Sequence, residues 1–254
     1  MKVALIPPVS LLGYTAQTDM QLMLPHLVDN KQYAYTYMTH GKDPHQHLIL
    51  DNGVAEGFIP DAAALMDIGD RFMVNEIVLP DVIADYGKTL LASANFLDLA
   101  KTHYKGRILS KPKFMFVLQG KTFEEIMNAA RWASKHVMVD TLGVPRHLIA
   151  TLGVGTGIRS TIAASIQEFT DKPIHLLGGS PFAPAEIGVF PWPSNVRSHD
   201  TSSPFNYAWK GRRLIEGIEA TRPGKYFDKH GSAFNEDLVN ENVQQLLVWA
   251  GYDV

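Results

Sequence analysis

The stretch Leu48-Ile49-Leu50-Asp51-Asn52-Gly53 is a short apolar run that ends abruptly in an acid, an amide and a glycine. Similar runs end in acids, amides or glycines at 77–81, 114–120, 150–155, 174–179 and 195–200. Runs of this kind are typical of strands buried on both faces, as in a parallel sheet covered by helices. In a closed βα barrel the carboxyl ends of the strands meet at one mouth, where the chemistry takes place. The pattern therefore predicts a polar pocket at the mouth of a barrel.

Eight runs in the chain predict eight strands, at 2–7, 33–40, 47–51, 76–81, 114–119, 147–152, 174–178 and 195–199. A chain of 254 residues, 46% of them hydrophobic, matches the size of one such barrel, about 250 residues. Residues 1–254 are therefore predicted to form a single α/β domain, a zinc-free (β/α)8 barrel of the TIM type with C-terminal helices.

Helical spacing of apolar residues predicts helices at 60–72, 87–103, 122–139 and 157–169. The segment 181–193 holds too many prolines for a long helix. The link between the second and third strands is predicted to lack a helix, because 41–46 is a short polar turn. Helices are also predicted at 207–221 and 237–251, the second of them closing the bottom of the barrel.

Composition narrows the class of protein further. No apolar stretch approaches the ~20 residues of a membrane span, and the N-terminus is too short for a signal sequence, so we expect a cytoplasmic protein without a membrane partner. The chain has no cysteine, which excludes disulfides and thiolate metal sites and fits a reducing cytosol. A net charge of −3 argues against a broad electrostatic contact with nucleic acid but leaves room for a local basic patch.

Two carboxylates across a pocket are the minimal apparatus for breaking a glycosidic bond, because one attacks the sugar carbon and the other moves the proton of the leaving group. Asp51 and Asp200 follow different strands and suit these roles. Asp81 and Gln119 suit a guanine-like edge, since a carboxylate accepts from N–H groups and an amide donates to a ring carbonyl. Each acid alone also fits a helix N-cap after its strand.

Two other segments suggest ligands less strongly. Residues 40–47 contain three histidines and an aspartate, but their spacing matches no compact metal motif, and a solvated turn explains them. Residues 153–157 resemble a dinucleotide-binding loop only superficially, because the third glycine comes too early. A tight turn with its backbone close to a planar ligand is the better interpretation. No metal or cofactor is predicted.

A basic stretch follows Asp200. Between 205 and 230, six lysines and arginines stand against three acids, Glu216, Glu219 and Asp228. The basic residues are Lys210, Arg212, Arg213, Arg222, Lys225 and Lys229. Such a stretch is commonly a solvated face, and its position after Asp200 equally allows contact with phosphates near the pocket. Lys210, Arg212 and Arg213 are the candidate nucleic-acid contacts.

The order of these motifs resembles the tRNA-guanine transglycosylase superfamily across about 48–203. Residues 50–53 resemble the segment Asp-Ser-Gly-Gly-Phe-Gln with its essential acid, and 79–81 resemble the strand end whose aspartate reads guanine. Residues 117–120 resemble the base-binding Val-Gln-Gly-Gly. Residues 150–155 and 175–179 resemble Gly-Gly-Leu-Ala-Val-Gly and Tyr-Leu-Met-Gly-Val-Gly, and 200–203 hold the place of the nucleophilic aspartate.

The resemblance implies roles for particular residues. Asp200 would be the nucleophile and Asp51 the second catalytic acid. The residues implied in binding the base are Asp81, Gln119, Gly120, Asn52, Thr151, Leu152, Gly153 and Gly178. Three departures near Asp51 alter the family pattern, because Asn52 replaces serine, Val54 replaces the second glycine and Glu56 replaces glutamine.

Two features of the tRNA enzymes that this chain lacks favour DNA over tRNA as the substrate. The family's structural zinc site needs three cysteines, which this chain lacks, and the chain has no room for the RNA-binding domains of the archaeal enzymes. In this it resembles the compact phage-type 7-deazaguanine DNA transglycosylases. The resemblance implies exchange of a flipped-out or single-stranded guanine in DNA for a free deazapurine base such as 7-cyano-7-deazaguanine, in the host cytoplasm if a phage encodes the protein.

Three alternatives remain open from the sequence. The same exchange on tRNA is less expected, and a preference for RNA in a paired assay would reveal it. A barrel hydrolase or lyase acting on a small nucleoside or sugar would turn over without any polynucleotide. A binder that retains the pocket would bind guanine or DNA without forming a covalent intermediate.

Overall fold

Eight parallel strands close into a barrel in the computed structural model, which describes residues 1–58, 61–107, 111–155, 157–179, 186–217 and 222–253. The strands are β1 (Lys2–Leu5), β2 (Met20–Met23), β3 (His47–Leu50), β4 (Glu76–Val78), β5 (Lys113–Val117), β6 (Thr141–Pro145), β7 (Ile174–Leu177) and β8 (Val196–Thr201). Each strand pairs with the next, and β8 pairs with β1 with Asp200 opposite Ala4. The predicted (β/α)8 fold is confirmed.

Helices lie between successive strands. The described α-helices are α1 (Lys31–Lys42), α2 (Ala62–Phe72), α3 (Tyr86–His103), α4 (Phe123–Lys135), α5 (Leu148–Thr151), α6 (Ile158–Gln167), α7 (Glu186–Val189), α8 (Ser203–Trp209) and α9 (Glu236–Ala250). Short 3-10 helices span Val9–Gln17, Pro25–Leu27, Val54–Glu56, Leu214–Glu216, Tyr226–Asp228 and Gly231–Ala233. Capping side chains start several helices: Asp61, Asp85 and Thr122 each accept a backbone N–H three residues ahead.

The predicted strand at 33–40 is wrong, because these residues belong to α1. Asn30 caps the helix, and its buried residues Tyr33, Ala34 and Tyr37 have helical spacing. The true second strand is β2, which the sequence conceals because the polar Gln21 interrupts a short apolar run. The predicted absence of a helix before β3 is therefore wrong as well.

The predicted strand at 147–152 is also wrong. Strand β6 ends at Pro145, and α5 occupies Leu148–Thr151. Gly143 and Pro145 look like turn residues in sequence, yet both lie within β6 and are buried. A Cβ at Gly143 would lie 2.7 Å from Leu177 Cδ1, so the end of the Leu177 side chain would have to shift. The residues that follow β6 at the mouth are therefore Arg146 and His147.

The C-terminal helix α9 does not close the bottom of the barrel. It packs against α8 and the outside of β1, where Val3 and Leu5 join a second apolar core with Val243 and Leu246. The predicted helix at 207–221 is replaced by the end of α8 and the short 3-10 helix Leu214–Glu216, and its last four residues lie outside the described part. Residue 60 of the first predicted helix and 181–185 of the proline-rich segment also lie outside it.

A buried ion cluster ties three strands together near their amino ends. Glu76 of β4 is fully buried, and its Oε2 lies 2.6 Å from Arg197 Nη2 and 3.1 Å from His47 Nε2. Burial alone would raise the pKa of the Glu76 carboxyl, but the hydrogen bond from His47 and the charge of Arg197 outweigh it and hold the pKa at about 2. The cluster thus contributes stability that is present above the ordinary pKa of 4.5 and is lost as pH falls towards 2.

Glu76→Ala is expected to lower the free energy of unfolding at pH 7 by about 3 kcal/mol, because it leaves Arg197 largely buried without its partner. Urea unfolding at pH 7 and pH 3 measures this, and the difference from the wild type should shrink at pH 3. Asp98→Ala, which removes an exposed pair with Lys101, is the control and should change little. A loss no larger than that of the control would remove this role from Glu76.

Candidate active site at the barrel mouth

A cavity of about 270 Å³ opens at the carboxyl ends of the strands. Its polar lining comes from the ends of β3 to β8 and from one later segment: Asp51, Asn52, Glu56, Asp81, Gln119, Arg146, His147, Gly178, Asp200, Thr201, Ser202 and Arg222. The structure thus brings together six of the residues singled out from the sequence, namely Asp51, Asn52, Asp81, Gln119, Gly178 and Asp200.

Asp200 lies on β8 and is held through one oxygen. Its Oδ1 accepts the backbone N–H of Gly178 at 2.8 Å and lies 3.1 Å from Nε2 of the buried His175. Burial would raise the pKa of Asp200, but His175, His199 and the Gly178 N–H outweigh it and lower the pKa below its ordinary 3.8. The carboxylate is ionised at neutral pH. Its other oxygen has no hydrogen-bond partner among the described residues, as a nucleophile requires.

The N–H that binds Asp200 depends on an unusual backbone. Gly178 has φ +74°, a left-handed conformation that favours glycine. Behind it, the buried Arg159 of α6 donates through Nη1 to the carbonyl oxygens of Leu177 and Gly178, at 3.2 and 2.9 Å. The Arg159 guanidinium is fixed by a bidentate ion pair with the Glu186 carboxylate, with both N···O distances 2.8 Å. The outer helices therefore hold the strand end that orients the Asp200 carboxylate.

The pKa of Asp51 is shifted in the opposite direction from that of Asp200. Its carboxyl group follows β3 and accepts the backbone N–H of Gly53 at 3.0 Å. Burial, then the charge of Glu56, and then the charges of Asp200 and Asp81 raise the pKa of Asp51 to about 7. One cavity thus holds an ionised carboxylate and a carboxyl group that titrates near neutrality, an arrangement that suits a nucleophile and a general acid–base.

A hydrogen-bonded array lines the wall between β3 and β6. Asn52 Nδ2 donates to Asp81 Oδ1 at 2.6 Å, and Gln119 Nε2 donates to Asp81 Oδ2. Gln119 Oε1 accepts the backbone N–H of Ala84 at 2.9 Å and faces His147 Nε2 at 2.7 Å. Because its oxygen accepts the Ala84 N–H, the Gln119 amide must turn its nitrogen towards Asp81. The sequence predicted that this NH2 group donates to a ring carbonyl of the base, but one of its two hydrogens is already bonded to Asp81.

His147 therefore carries its hydrogen on Nε2. Burial and the charge of Arg146 lower the pKa of His147 to about 4, so the ring is neutral at pH 7. Nδ1 is then a hydrogen-bond acceptor, as is the Asp81 carboxylate. Burial raises the pKa of Asp81, and the amide hydrogen bonds of Asn52 and Gln119 oppose that rise. The wall offers acceptors to N–H and amino groups of a ligand.

Seven other predicted site residues lie outside the cavity lining. Gly120 is buried between β5 and α4, where a Cβ would meet the Glu125 Cβ at 2.8 Å. Thr151, Leu152 and Gly153 lie on or just after α5, so the misplaced sixth strand also misplaced them. The remaining three, Lys210, Arg212 and Arg213, follow α8.

The basic patch after α8 is largely paired with acids. Arg212 Nη1 lies 3.2 Å from Glu216, and Arg213 Nε lies 3.0 Å from Glu241. None of the three basic residues lines the cavity.

The sequence pattern missed several polar residues that line the cavity or support it, among them Arg146, His147, Glu56 and His175. Arg146 and His147 follow β6, so correct placement of that strand would have found them. Glu56 lies in the 3-10 helix after Asp51 and was noted only as a departure from a family pattern. His175 lies within β7, and no sequence signal distinguishes it from an ordinary core histidine.

Comparison with protein-family models and with curated proteins finds no match. Within the described ranges, no cluster of three or more His, Asp or Glu residues is arranged to hold a metal ion. Nor is any helix in the described part of the chain long and apolar enough to cross a membrane.

Proposed function

We propose that this protein is a base-exchange transglycosylase that replaces guanine in DNA with a 7-deazaguanine base, such as 7-cyano-7-deazaguanine. The observation that carries the proposal is the pair of acids in one cavity, Asp200 with its pKa lowered and Asp51 with its pKa raised to about 7. Divergent pKa values of this kind separate a nucleophile from a proton donor. No metal or redox cofactor takes part in the proposed steps.

The reaction proceeds in two halves. The Asp200 oxygen that has no hydrogen-bond partner among the described residues attacks C1′ of the target deoxyguanosine. The bond from C1′ to N9 breaks with its electron pair going to the base, and Asp51 supplies the proton that neutralises the departing guanine. The deazaguanine then enters the same cavity. Asp51, now ionised, removes the proton from its ring N–H as that nitrogen attacks C1′ and releases Asp200.

The wall of acceptors supports a purine with the guanine pattern of N–H groups. Guanine and 7-deazaguanine share the ring N–H and the amino group of that edge, and the Asp81 carboxylate and His147 Nδ1 accept from such groups. Because the target sugar carbon must reach Asp200, the nucleotide has to leave the duplex stack or be single-stranded. The choice of DNA over tRNA rests on the resemblance to the compact DNA enzymes.

Nucleoside mass spectrometry of DNA and tRNA from cells that express the protein and receive deazapurine tests the proposal. A deazaguanine nucleoside in DNA, absent with the Asp200→Ala variant, is the expected result. The same nucleoside in tRNA alone would assign the exchange to tRNA. Its absence from both, together with cleavage of small nucleosides by the purified protein, would favour a hydrolase instead.

Asp81→Asn is expected to weaken binding of guanine and of the incoming base together, because both use one wall of the cavity. The new amide places an NH2 group against the donor of Asn52 or Gln119 and removes an acceptor for the base N–H. A lost charge-assisted bond of this kind costs about 1.5–3 kcal/mol. Calorimetry with both bases measures the effect, and a melting curve confirms folding. Unchanged affinity for both bases would exclude Asp81 from base recognition.

A further inference from the structure

Arg146 brings a guanidinium group to the wall of the cavity and forms no ion pair with an acid in the described part of the chain. The residue directly follows β6, lines the cavity and is exposed. Within the described residues its hydrogen bonding is limited to one long contact, from Nη1 to the carbonyl oxygen of Gly179 at 3.4 Å. A guanidinium carries five N–H donors. Most of the donors of Arg146 therefore have no acceptor in the described part of the protein.

Arg222 brings a second guanidinium to the same cavity from a segment well beyond β8. Its Nε donates to Ser202 Oγ at 3.1 Å, and its Nη1 lies 2.8 Å from Glu56 Oε1. The group also stacks over the rings of Tyr226 and Phe227, at 5.6 and 5.4 Å from their centroids. These contacts fix the guanidinium at the cavity wall before a ligand arrives, and its Nη2 group forms no hydrogen bond with another described residue.

Both arginines contact the chain close to Asp200. Arg146 contacts Gly179, the neighbour of the Gly178 whose N–H binds Asp200, and Arg222 contacts Ser202, two residues after Asp200. Burial of the guanidinium, and then the charges of Arg222 and Arg159, lower the pKa of Arg146, while the charges of Asp200 and Glu56 oppose that change. The two cations are thus close enough to repel each other, and an anion between or beside them would relieve that repulsion.

We propose that Arg146 and Arg222 bind the phosphodiester groups on the two sides of the target nucleotide while its sugar carbon lies at Asp200. The inference rests on the proposed function and adds the part of the substrate that the two arginines bind. The base-reading groups Asn52, Asp81 and Gln119 come from the ends of β3 to β5 and His147 follows β6, whereas Asp200 lies on β8, with Arg146 between these two sets. A nucleotide with its base against Asp81 and its sugar at Asp200 therefore turns its phosphates towards the arginines.

A phosphate of a polynucleotide fits these arginines better than a free anionic ligand does. The cavity floor carries the carboxyl groups of Asp51, Asp81 and Asp200, which disfavour a small anion inside the cavity. A phosphodiester joined to the sugar stays at the rim, where the planar guanidinium groups match its oxygens. Phosphate contacts of this kind fix the register of a strand without reading its sequence.

Binding of a fluorescent single-stranded oligonucleotide with one guanine, measured at several salt concentrations, tests the proposal. Arg146→Gln and Arg222→Gln are each expected to weaken binding about tenfold or more and to reduce the slope of log K against log salt by about one. Free guanine, which has no phosphate, should lose far less affinity in calorimetry. Arg131→Gln removes the same charge from α4, outside the cavity lining, and should leave both the affinity and the slope unchanged.

Neutral methylphosphonates placed one at a time beside the target guanine identify the contacts. Each should weaken binding of the wild type, and at least one should cause no further loss in Arg146→Gln. Arg222→Lys keeps the charge beside Glu56 and should recover part of the loss in Arg222→Gln, which separates phosphate contact from damage to the Glu56 pair.

The outcomes separate this inference from the function on which it rests. Wild-type protein that exchanges guanine in DNA while Arg146→Gln keeps its affinity and salt slope would overturn the phosphate contacts and leave the function standing. The proposal would also be overturned if neutralising Lys210, Arg212 and Arg213, and not Arg146 or Arg222, removed the salt dependence of oligonucleotide binding. Wild-type protein that neither binds DNA nor exchanges its guanine would overturn the function itself.

Discussion

Replacing Asp200 with alanine or asparagine is expected to abolish base exchange, by about 10⁴-fold or more, in a protein that still folds and binds DNA. The covalent step needs an ionised carboxylate with an oxygen free to reach C1′, and Asp200 has one oxygen held by Gly178 and His175 and one without a partner in the described residues. Asparagine keeps the shape and can still accept from Gly178, but it is a far poorer nucleophile. Neither variant should form a protein–DNA adduct.

A denaturing gel after incubation with guanine-containing DNA makes this visible, since only a covalent complex survives denaturation. The wild type without incoming base should show the adduct, and melting curves confirm that both variants are folded. An adduct from Asp200→Ala would show that another carboxylate attacks the sugar, with Asp51 and Asp81, which line the same cavity, as the candidates.

Asp51→Asn is expected to change the second half of the reaction more than the first. Attack by Asp200 persists slowly without the proton donor, whereas the incoming base cannot lose its ring proton, so the adduct should accumulate and endure. The wild-type rate of guanine release should fall as pH rises above about 7, because the protonated form of Asp51 is then depleted. No loss is expected on the acid side until well below neutrality, since the pKa of Asp200 is lowered.

Single-turnover release of guanine between pH 5 and 9 measures both effects, and Asp51→Asn should lose the alkaline decline. The melting temperature supplies a control, because replacing Asp51 should slow the reaction without destabilising the fold at alkaline pH. The stability that protonated Asp51 contributes is fully present below its ordinary pKa of 3.8 and is lost as pH rises to about 7. The variant should therefore melt no lower than the wild type at pH 8. A wild-type profile without a decline near pH 7 would remove Asp51 from the acid role.

The strand-end pattern located the acids of the site because it depends on a local signal. Asp51 and Asp81 each end an apolar run, Asp200 lies near the end of β8, and all three strands were predicted, so barrel closure alone brings these acids together. The pattern failed at the sixth strand, where Gly143 and Pro145 look like turn residues although both are buried within β6. Because that strand was displaced, Arg146 and His147 were not predicted as site residues.

Other features of the site depend on tertiary structure and had no local signal. Arg222 lies 22 positions after Asp200 in the sequence and reaches the cavity through contacts with Glu56 and Ser202. The pKa of Asp51 follows from its burial among other acids, which no spacing in the sequence reveals. The transglycosylase resemblance stays a prediction, since it depends on short motifs, and the one at 150–155 lies away from the sixth strand end.

The size of the cavity has a kinetic consequence for the proposed exchange. About 270 Å³ lies just below the 300–1,000 Å³ usual for sites that enclose a drug-sized ligand, so the two purines must occupy it in turn. Exchange is then a substituted-enzyme reaction in which guanine competes with its replacement for the same glycosyl-enzyme. Between the two bases the cavity stands open to water, and every intermediate captured by water leaves an abasic site in the DNA. The fidelity of such a protein is thus the ratio of two rates, capture by a base and capture by solvent.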